Sequence, residues 1–278
     1  MQQLHYCLGL PRTCSTVMMN ILNQNPRIFT TGTCCMPYFI DACQKRSNEA
    51  VEFMTLKKDV LNNAYLSFLR EGIRGWFESM TNKPIVFSKH RVWGEFLPTT
   101  FAINPESKYL VLLRDLRDIV CSFDSLSWKY PNINYVCPDG ENIVHKSMDD
   151  RMKHYCSEVD SILARPLSML PHICEVSLKN PNKFLFVRQE DFNINPKQIL
   201  RQIYKWLGED YFDHDLEQIS HSDYYEHDTI YRSLVSHKVR NKLEKIEPRW
   251  TKVMSKEESN NIIENNRWYY DTFYGDFL

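Results

Sequence analysis

The chain has 278 residues, enough for one large α/β domain with a substantial core. Its 34 lysines and arginines balance 35 acidic residues, so bulk charge does not indicate nucleic acid or an acidic membrane face as a partner. Nine cysteines, scattered without a Cys-x-x-Cys pair, favour reduced intracellular thiols and argue against a structural zinc site. No signal peptide or membrane span is visible, which favours a soluble cytoplasmic protein.

The first twenty residues predict an anion site. Residues 5–10 form a short apolar and aromatic run typical of a buried strand, and the apolar run 17–22 is long enough for a helix. Three hydroxyl residues before that helix are candidate N-caps: Thr13, Ser15 and Thr16. The amides at a helix N-terminus are unpaired and carry partial positive charge, and Arg12 adds a full charge beside them.

The rest of the chain alternates strand and helix patterns. Four further apolar runs predict strands at 27–31, 83–88, 109–113 and 183–188. Helical patterns cover roughly 48–80, 147–164 and 196–207. Pro166 should stop or kink the second of these helices. The third follows Asn195 and ends before Gly208. The apolar positions of the first helical stretch are predicted to be core: Val51, Met54, Leu56, Val60, Leu61, Tyr65, Phe68 and Leu69, extended by Trp76 and Phe77.

Cationic side chains follow two of the predicted strands. Lys89, His90 and Arg91 come directly after 83–88, and ligands of open α/β sheets bind beyond the carboxyl ends of strands. Arg114 ends the clearest strand, 109–113, and a helix follows it. The planar fork of an arginine suits pairing with phosphate oxygens. Ser122 stands eight residues later, so both side chains reach one anion only if the loop bends back.

Three motifs resemble those of sulfotransferases that use 3′-phosphoadenosine 5′-phosphosulfate (PAPS) as donor. Residues 11–16, Pro-Arg-Thr-Cys-Ser-Thr, are similar to the loop that binds the 5′-phosphosulfate. Arg114, Asp118 and Ser122 fill an Arg-x-x-x-Asp-x-x-x-Ser frame similar to the element that binds the 3′-phosphate. Residues 188–196 are similar to a third signature, Arg-x-Glu-Asp-Phe-x-x-x-Pro.

The resemblance covers nearly the whole chain and implies a P-loop-like sulfotransferase fold. That fold is a three-layer α/β structure with a central, mostly parallel sheet flanked by helices. We expect a single domain over residues 1–278, with a lid or insertion around 124–145. The implied reaction moves a sulfuryl group in line from PAPS to a hydroxyl or amine of an unidentified small-molecule or glycan acceptor, leaving PAP (3′,5′-adenosine bisphosphate) and needing no metal.

The resemblance also implies a role for each candidate residue. The 5′-phosphosulfate would be held by Arg12, Thr13, Cys14, Ser15 and Thr16, and the 3′-phosphate by Arg114, Ser122 and Arg240. Lys89 would stabilise charge at the bridging oxygen. His90 is the candidate general base, although the matching frame places Arg91 at the position of the family's histidine, so a carboxylate or His227 is the alternative.

The sequence departs from the family pattern at Cys14 and at Gln189, among other positions. Cys14 stands where the loop usually has glycine, which is tolerated if its φ angle is negative. Gln189 replaces an aromatic residue that lies near the adenine, which puts an adenine contact there in doubt. The alternatives are a nucleotide kinase or hydrolase, although the loop lacks Gly-Lys-Ser/Thr, and a relative that binds PAPS or PAP without activity.

Overall fold

The computed structural model describes residues 2–129, 147–157, 161–220 and 241–275. Within these residues a parallel five-stranded sheet has the order β2-β3-β1-β4-β5. Its strands are β1 (Gln3–Gly9), β2 (Ile28–Thr30), β3 (Ile85–Lys89), β4 (Tyr109–Leu113) and β5 (Phe184–Arg188). Each strand overlaps one of the predicted runs, and β4 has the predicted bounds. Every strand residue of β4 is buried, as a central parallel strand requires.

Helices connect the strands and follow the last of them. They are α1 (Ser15–Asn23), α2 (Met36–Glu49), α3 (Val51–Met54), α4 (Lys58–Met80), α5 (Leu97–Ile103), α6 (Leu116–Lys129), α7 (Met148–Ser157), α8 (Ala164–Lys179), α9 (Gln189–Ile194), α10 (Pro196–Leu207), α11 (Trp250–Val253), α12 (Lys256–Asn265) and α13 (Arg267–Phe273). Short 3₁₀ turns occupy Arg91–Phe96 and Pro181–Lys183.

The sheet lies between two hydrophobic clusters, which gives the predicted three layers. Tyr109 and Val111 of β4 belong to the cluster that includes α4, α6 and α8. Leu110 and Leu112 belong to the other, which includes α1 and α10. The alternation follows from the pleat, since successive side chains of a strand point to opposite faces. The expected α/β architecture is therefore confirmed.

Gly9 ends β1 at a point where no other residue fits. It pairs with Leu112 of β4, and its φ angle is +119°, a conformation that side chains rarely adopt. A Cβ built on Gly9 would overlap the backbone of Leu112. The close approach of β1 and β4 fixes where the following loop leaves the sheet.

Two helix predictions were wrong in instructive ways. Val51, Met54 and Phe68 are 70%, 64% and 64% exposed, so most of the predicted core stripe lies on the surface; only Leu69 and Phe77 of it are buried. Periodicity identified a shared face, but no layer of the described residues covers it.

Pro166 does not end a helix, because it lies in the first turn of α8. A proline is tolerated there, since an amide in the first turn has no intrahelical acceptor. Of the predicted lid, residues 124–129 belong to α6, and residues 130–145 lie outside the described part of the chain.

Candidate active site

Parallel pairing brings the predicted site segments to one edge of the sheet. The carboxyl ends of all five strands meet there, and the loops after β1, β3 and β4 carry Arg12, His90 and Arg114. Cys7 of β1 is paired with Lys89, and Leu113 of β4 is paired with Arg188. This edge is where open α/β sheets bind ligands.

The loop after β1 has a backbone shaped for an anion. Arg12 and Cys14 have φ angles of +62° and +58°, whereas Thr13 between them is not in the positive region. Such alternation turns successive amides toward one concave point, which is a common anion-binding arrangement. The amides of Ser15 and Thr16 open α1 and have no intrahelical acceptor, so they extend the same surface.

The hydroxyls of this loop do not act as predicted. The N-cap of α1 is Cys14, in a left-handed conformation and without a side-chain cap, rather than any of the three predicted hydroxyl residues. The Thr13 hydroxyl is buried and donates to the carbonyl of Leu10 at 3.0 Å, so it supports the loop from inside. Within the described residues, the Ser15 and Thr16 hydroxyls have no hydrogen-bond partner. The condition that Cys14 has a negative φ is not met.

Arg12 connects the two motifs that are predicted to bind phosphate, the loop after β1 and the frame that begins at Arg114. Its Nε donates to the Ser122 hydroxyl at 2.8 Å, and Arg114 Nη1 donates to the Arg12 carbonyl at 2.7 Å. Arg114 thereby holds the backbone of Arg12 in its left-handed conformation. Because the Ser122 oxygen accepts from Arg12, its own proton stays available to another acceptor. The sequence placed these residues in separate motifs; the fold joins them.

Arg114 is buried, with one donor left over. Besides the Arg12 carbonyl, it contacts Asp118, where Nη2 and Oδ2 are 3.4 Å apart. Its Nε has no hydrogen-bond partner among the described residues and no contact with solvent. A buried donor without an acceptor costs about 1–3 kcal/mol, so it needs an explanation, and a bound anion supplies one.

Asp118 connects Arg114 to the C-terminal part of the chain. Its Oδ1 accepts the amide protons of Arg249 and Trp250 at 2.8 and 3.3 Å. The hydroxyl of Tyr269 donates to the Arg114 carbonyl at 2.9 Å. The sequence motif placed Asp118 in the 3′-phosphate frame but did not predict that it positions Arg114. The four-residue spacing between Asp118 and Arg114 was the signal in the sequence for that contact.

Arg117 completes the connection between α6 and the C-terminal helices. It forms an ion pair with Asp115, with Nη2 and Oδ2 2.5 Å apart, and its guanidinium lies 3.7 Å from the centroid of the Trp250 ring. The Tyr270 hydroxyl donates to the same carboxylate at 2.9 Å. The loop after β4 is therefore held rigidly from both sides, which suits a preorganised binding site.

Lys89 places an uncompensated ammonium at the end of β3. Its amide donates to the Thr31 hydroxyl at 2.8 Å, but its Nζ has neither a hydrogen bond nor an ion pair within the described residues. Burial, followed by the charge of Arg91, lowers the pKa of Lys89 from 10.5 to about 8. The side chain is still mostly protonated at pH 7, and a bound anion would stabilise that form.

His90 is held in a way that disfavours proton abstraction. Its Nδ1 accepts the amide proton of Val92 at 3.3 Å, so the proton of the neutral ring is on Nε2. Burial and the charges of Arg91, Lys89 and Arg165 lower its pKa to about 3. The Tyr38 ring packs edge-on against it, with centroids 5.4 Å apart. The role of His90 as general base stays a prediction that these contacts make less favourable.

Two predicted residues, Arg240 and His227, lie outside the described part of the chain. Among the residues that the structure describes, no group of three or more His, Cys, Asp or Glu side chains could hold a metal ion. No disulfide bond joins the cysteines of those residues. Over the same residues, no helix is long and apolar enough to cross a membrane.

Comparison with known proteins agrees with this geometry. Residues 6–213 match the model of the Sulfotransferase family. A stretch of 146 residues is 26% identical to a Caenorhabditis briggsae protein named "Putative protein-tyrosine sulfotransferase", covering 52% of this chain and 50% of that protein. The chain thus spans about half the length of the curated relative it matches.

Solved structures share the fold at low sequence identity. The sulfotransferase domain of the curacin biosynthetic pathway has a TM-score of 0.59 at 15% identity, covering 95% of this chain and 97% of that one. The sulfotransferase domain of the Synechococcus PCC 7002 olefin synthase has a TM-score of 0.57 at 13% identity, covering 95% and 94%. Mouse sulfotransferase SULT7A1, complexed with PAP, has a TM-score of 0.56 at 12% identity, covering 95% and 83%. Since the family model matches most of its length, this chain belongs to the sulfotransferase family.

Proposed function

We propose that this protein transfers the sulfuryl group of PAPS to a hydroxyl or amine of a small-molecule or glycan acceptor. The observation that carries the proposal is the contact of Arg12 with both Arg114 and Ser122, which joins two predicted phosphate sites at one edge of the sheet. Arg114 Nε and Lys89 Nζ have no partner among the described residues, and both donors lie at that edge, where they fit an anionic substrate. A mouse structure of the same fold is complexed with PAP, which supports the choice of donor.

Each part of the site would have a distinct task. Arg12, the loop amides at Thr13 and Cys14, and the amides and hydroxyls of Ser15 and Thr16 would hold the 5′-phosphosulfate. Arg114 and Ser122, together with Arg240 from the predicted basic segment, would hold the 3′-phosphate. Lys89 would offset charge that develops on the bridging oxygen as the sulfuryl group leaves.

His90 would position neighbouring groups more than abstract a proton. With Nδ1 occupied by the Val92 amide, its Nε2–H can donate toward the reacting oxygens, and the base would be a carboxylate or His227. His90→Ala should then lower kcat, leave PAP affinity nearly intact and leave the shape of the pH–rate profile unchanged. Loss of the acidic limb of that profile, where protonation of the base slows the reaction, would restore His90 as the base.

Calorimetric titration tests the donor assignment directly. PAP, 5′-AMP and ATP would each be titrated without magnesium and then with it. We expect PAP to bind most tightly, because it alone fills both phosphate sites. Arg114→Ala should weaken PAP by about ten-fold or more, since hydrogen bonds to charged groups contribute about 1.5–3 kcal/mol. Tighter binding of magnesium-ATP than of PAP would indicate a kinase or hydrolase instead.

One observation favours a second candidate, a relative that binds the donor without turnover. Cys14 occupies a left-handed position in the predicted phosphate loop, where a Cβ and sulfur in place of glycine would crowd the sulfate. PAP binding combined with absence of sulfuryl transfer to a broad set of acceptors would support that candidate. Recovery of transfer in Cys14→Gly would identify the side chain as the cause.

A further inference from the structure

A cavity lies at the edge of the sheet opposite the candidate active site. It has a volume of about 590 Å³, and its lining includes Glu106, Lys108, Lys183, Lys205 and Trp206, which come from the segments before β4 and β5 and from the end of α10. Sites for small molecules typically have volumes of about 300–1,000 Å³. β4 separates the two edges, and its five residues at about 3.3 Å each span roughly 17 Å. The cavity is therefore distinct from the candidate active site.

Two of its lysines stand side by side. Tyr109 of β4 is paired with Phe184 of β5. Lys108 and Lys183 directly precede these two residues, so they occupy adjacent positions on neighbouring strands. Burial, followed by the charge of Lys183, lowers the pKa of Lys108. Like charges at this distance raise the free energy of the protein, and a bound anion relieves that repulsion.

Both ammonium groups are already held in place. Lys108 Nζ donates to the carbonyls of the last two residues of α10 and lies 5.7 Å from the centroid of the Trp206 ring. Lys183 Nζ donates to the Pro105 carbonyl and lies 5.9 Å from the centroid of the Phe101 ring. An ammonium has three N–H donors, so within the described residues Lys108 keeps one donor and Lys183 keeps two for a ligand. Groups that are ordered before binding lose less entropy when a ligand arrives.

We propose that this cavity binds a small phosphate monoester, with the phosphate on Lys108 and Lys183 and the organic group against Trp206. This site goes beyond the proposed function and does not depend on it. Three lysines and one glutamate line the cavity, which gives it a net charge of +2. A phosphate monoester carries a charge of about −1.5 to −2 at pH 7 and has three acceptor oxygens, which match the three remaining donors. A sulfate ester or a carboxylate carries a single charge and would leave the lysines partly uncompensated.

The indole N–H resonance of Trp206 provides a local readout. It would be assigned in ¹H–¹⁵N NMR spectra of the whole chain by its loss in Trp206→Phe. Phenyl phosphate, titrated at pH 7 and low ionic strength, should shift this resonance saturably. Phenyl sulfate has nearly the same shape and a smaller charge, so it should bind at least about three-fold more weakly. Benzyl alcohol, which is neutral, should give no saturable shift.

Variants of the cavity should change the affinity for phenyl phosphate in opposite directions. Lys183→Met should weaken binding by about ten-fold or more, because it removes charged hydrogen-bond donors. Glu106→Gln should strengthen binding by about two-fold, because it removes the carboxylate that repels the ligand, and a damaged fold would not produce such a gain. Lys197→Met is the matched control, since Lys197 is on the same helix and pairs with Asp213 at 3.4 Å. It should leave binding unchanged.

Arg114→Ala separates this cavity from the candidate active site. The variant should leave the Trp206 shift unchanged whether or not the protein binds PAP, so failure of the proposed function and failure of this proposal are distinguishable. Loss of the shift in Arg114→Ala would place the ligand at the other edge and overturn the proposal. A Trp206 resonance that phenyl phosphate does not shift, equal affinity for phenyl sulfate, or unchanged affinity in Lys183→Met would each overturn it as well.

Discussion

Lys89→Met should make the protein more stable while damaging its site. The Lys89 ammonium is half-buried and has no ion-pair partner in the part of the chain that the structure describes, and its pKa of about 8 lies well below the ordinary 10.5. A difference of that size corresponds to roughly 3 kcal/mol of destabilisation while the group is charged, and partial solvent access reduces it to roughly 1–3 kcal/mol. Methionine keeps the aliphatic stem and removes the charge, so the free energy of unfolding at pH 7 should rise by that amount.

The pH dependence follows from the same values. Between pH 8 and 10.5 the unfolded chain holds more protons at this position than the folded protein does, so wild-type stability rises with pH across that window. Lys89→Met lacks this contribution. Its advantage should be largest below pH 8 and should vanish near pH 10.5, as measured by urea unfolding at a series of pH values.

Lys83 supplies the matched control, since it lies just before the same strand. Its Nζ donates to the carbonyls of Asn23, Asn25 and Ile28 at 3.2, 3.1 and 2.8 Å. Lys83→Met leaves those carbonyls without their donor and should destabilise the protein by about 1–3 kcal/mol. Opposite signs for the two lysines are the expected result. A Lys89→Met variant no more stable than wild type at pH 7 would refute the claim that this charge is uncompensated.

Three further changes test the backbone and the buried histidines. Gly9→Ala should destabilise the protein by more than about 3 kcal/mol or abolish folding, because the new methyl group overlaps the backbone of Leu112 at a φ of +119°; soluble expression and thermal melting would show it. Cys14→Gly should stabilise by roughly 0.5–1 kcal/mol in urea unfolding, the left-handed penalty of about 1–2 kcal/mol being partly offset by greater freedom of the unfolded chain. Burial lowers the pKa of His5 and His214 to about 4, so stability should be full above pH 6.5 and fall as pH drops toward 4, and urea unfolding of His214→Gln should show a shallower fall than wild type.

The sheet could be predicted because its strands are buried on both faces. Residues 109–113 are continuously apolar between polar neighbours, and the strand has those bounds. The same logic located β1, β3 and β5 to within a few residues. The position of the site followed, since the carboxyl ends of parallel strands share one edge.

The helices were less predictable, because amphipathic spacing says which residues share a face and not what covers it. Val51 and Phe68 recur at helical intervals, yet both lie mostly in solvent. Whether a stripe becomes core depends on the third layer, and that depends on contacts distant in sequence. The prediction that Thr13 caps α1 failed because its hydroxyl donates to the Leu10 carbonyl instead. Such a local hydrogen bond competes with capping.

Motif spacing gave the candidate site residues but not the contacts between them. Arg12, Arg114 and Ser122 were expected near one nucleotide. Arg12 forms hydrogen bonds with both of the others, and its backbone is left-handed, which the residue types in that loop do not predict. An arginine and a cysteine at positive φ contradict their own conformational preferences. Such conflicts between local preference and global structure concentrate at functional sites.

These unfavourable features point to one physical reason for the site. The chain carries almost no net charge, so its attraction for an anion has to be local. Among the described residues, Lys89 has no ion-pair partner and Arg114 keeps a buried donor without an acceptor; the loop at Cys14 is strained. Each feature raises the free energy of the protein without ligand, and for the two cations binding of an anion removes the penalty. The free energy of unfolding that Lys89 costs the protein should therefore be recovered as free energy of nucleotide binding. Lys89→Met should gain stability and lose nucleotide affinity by similar amounts.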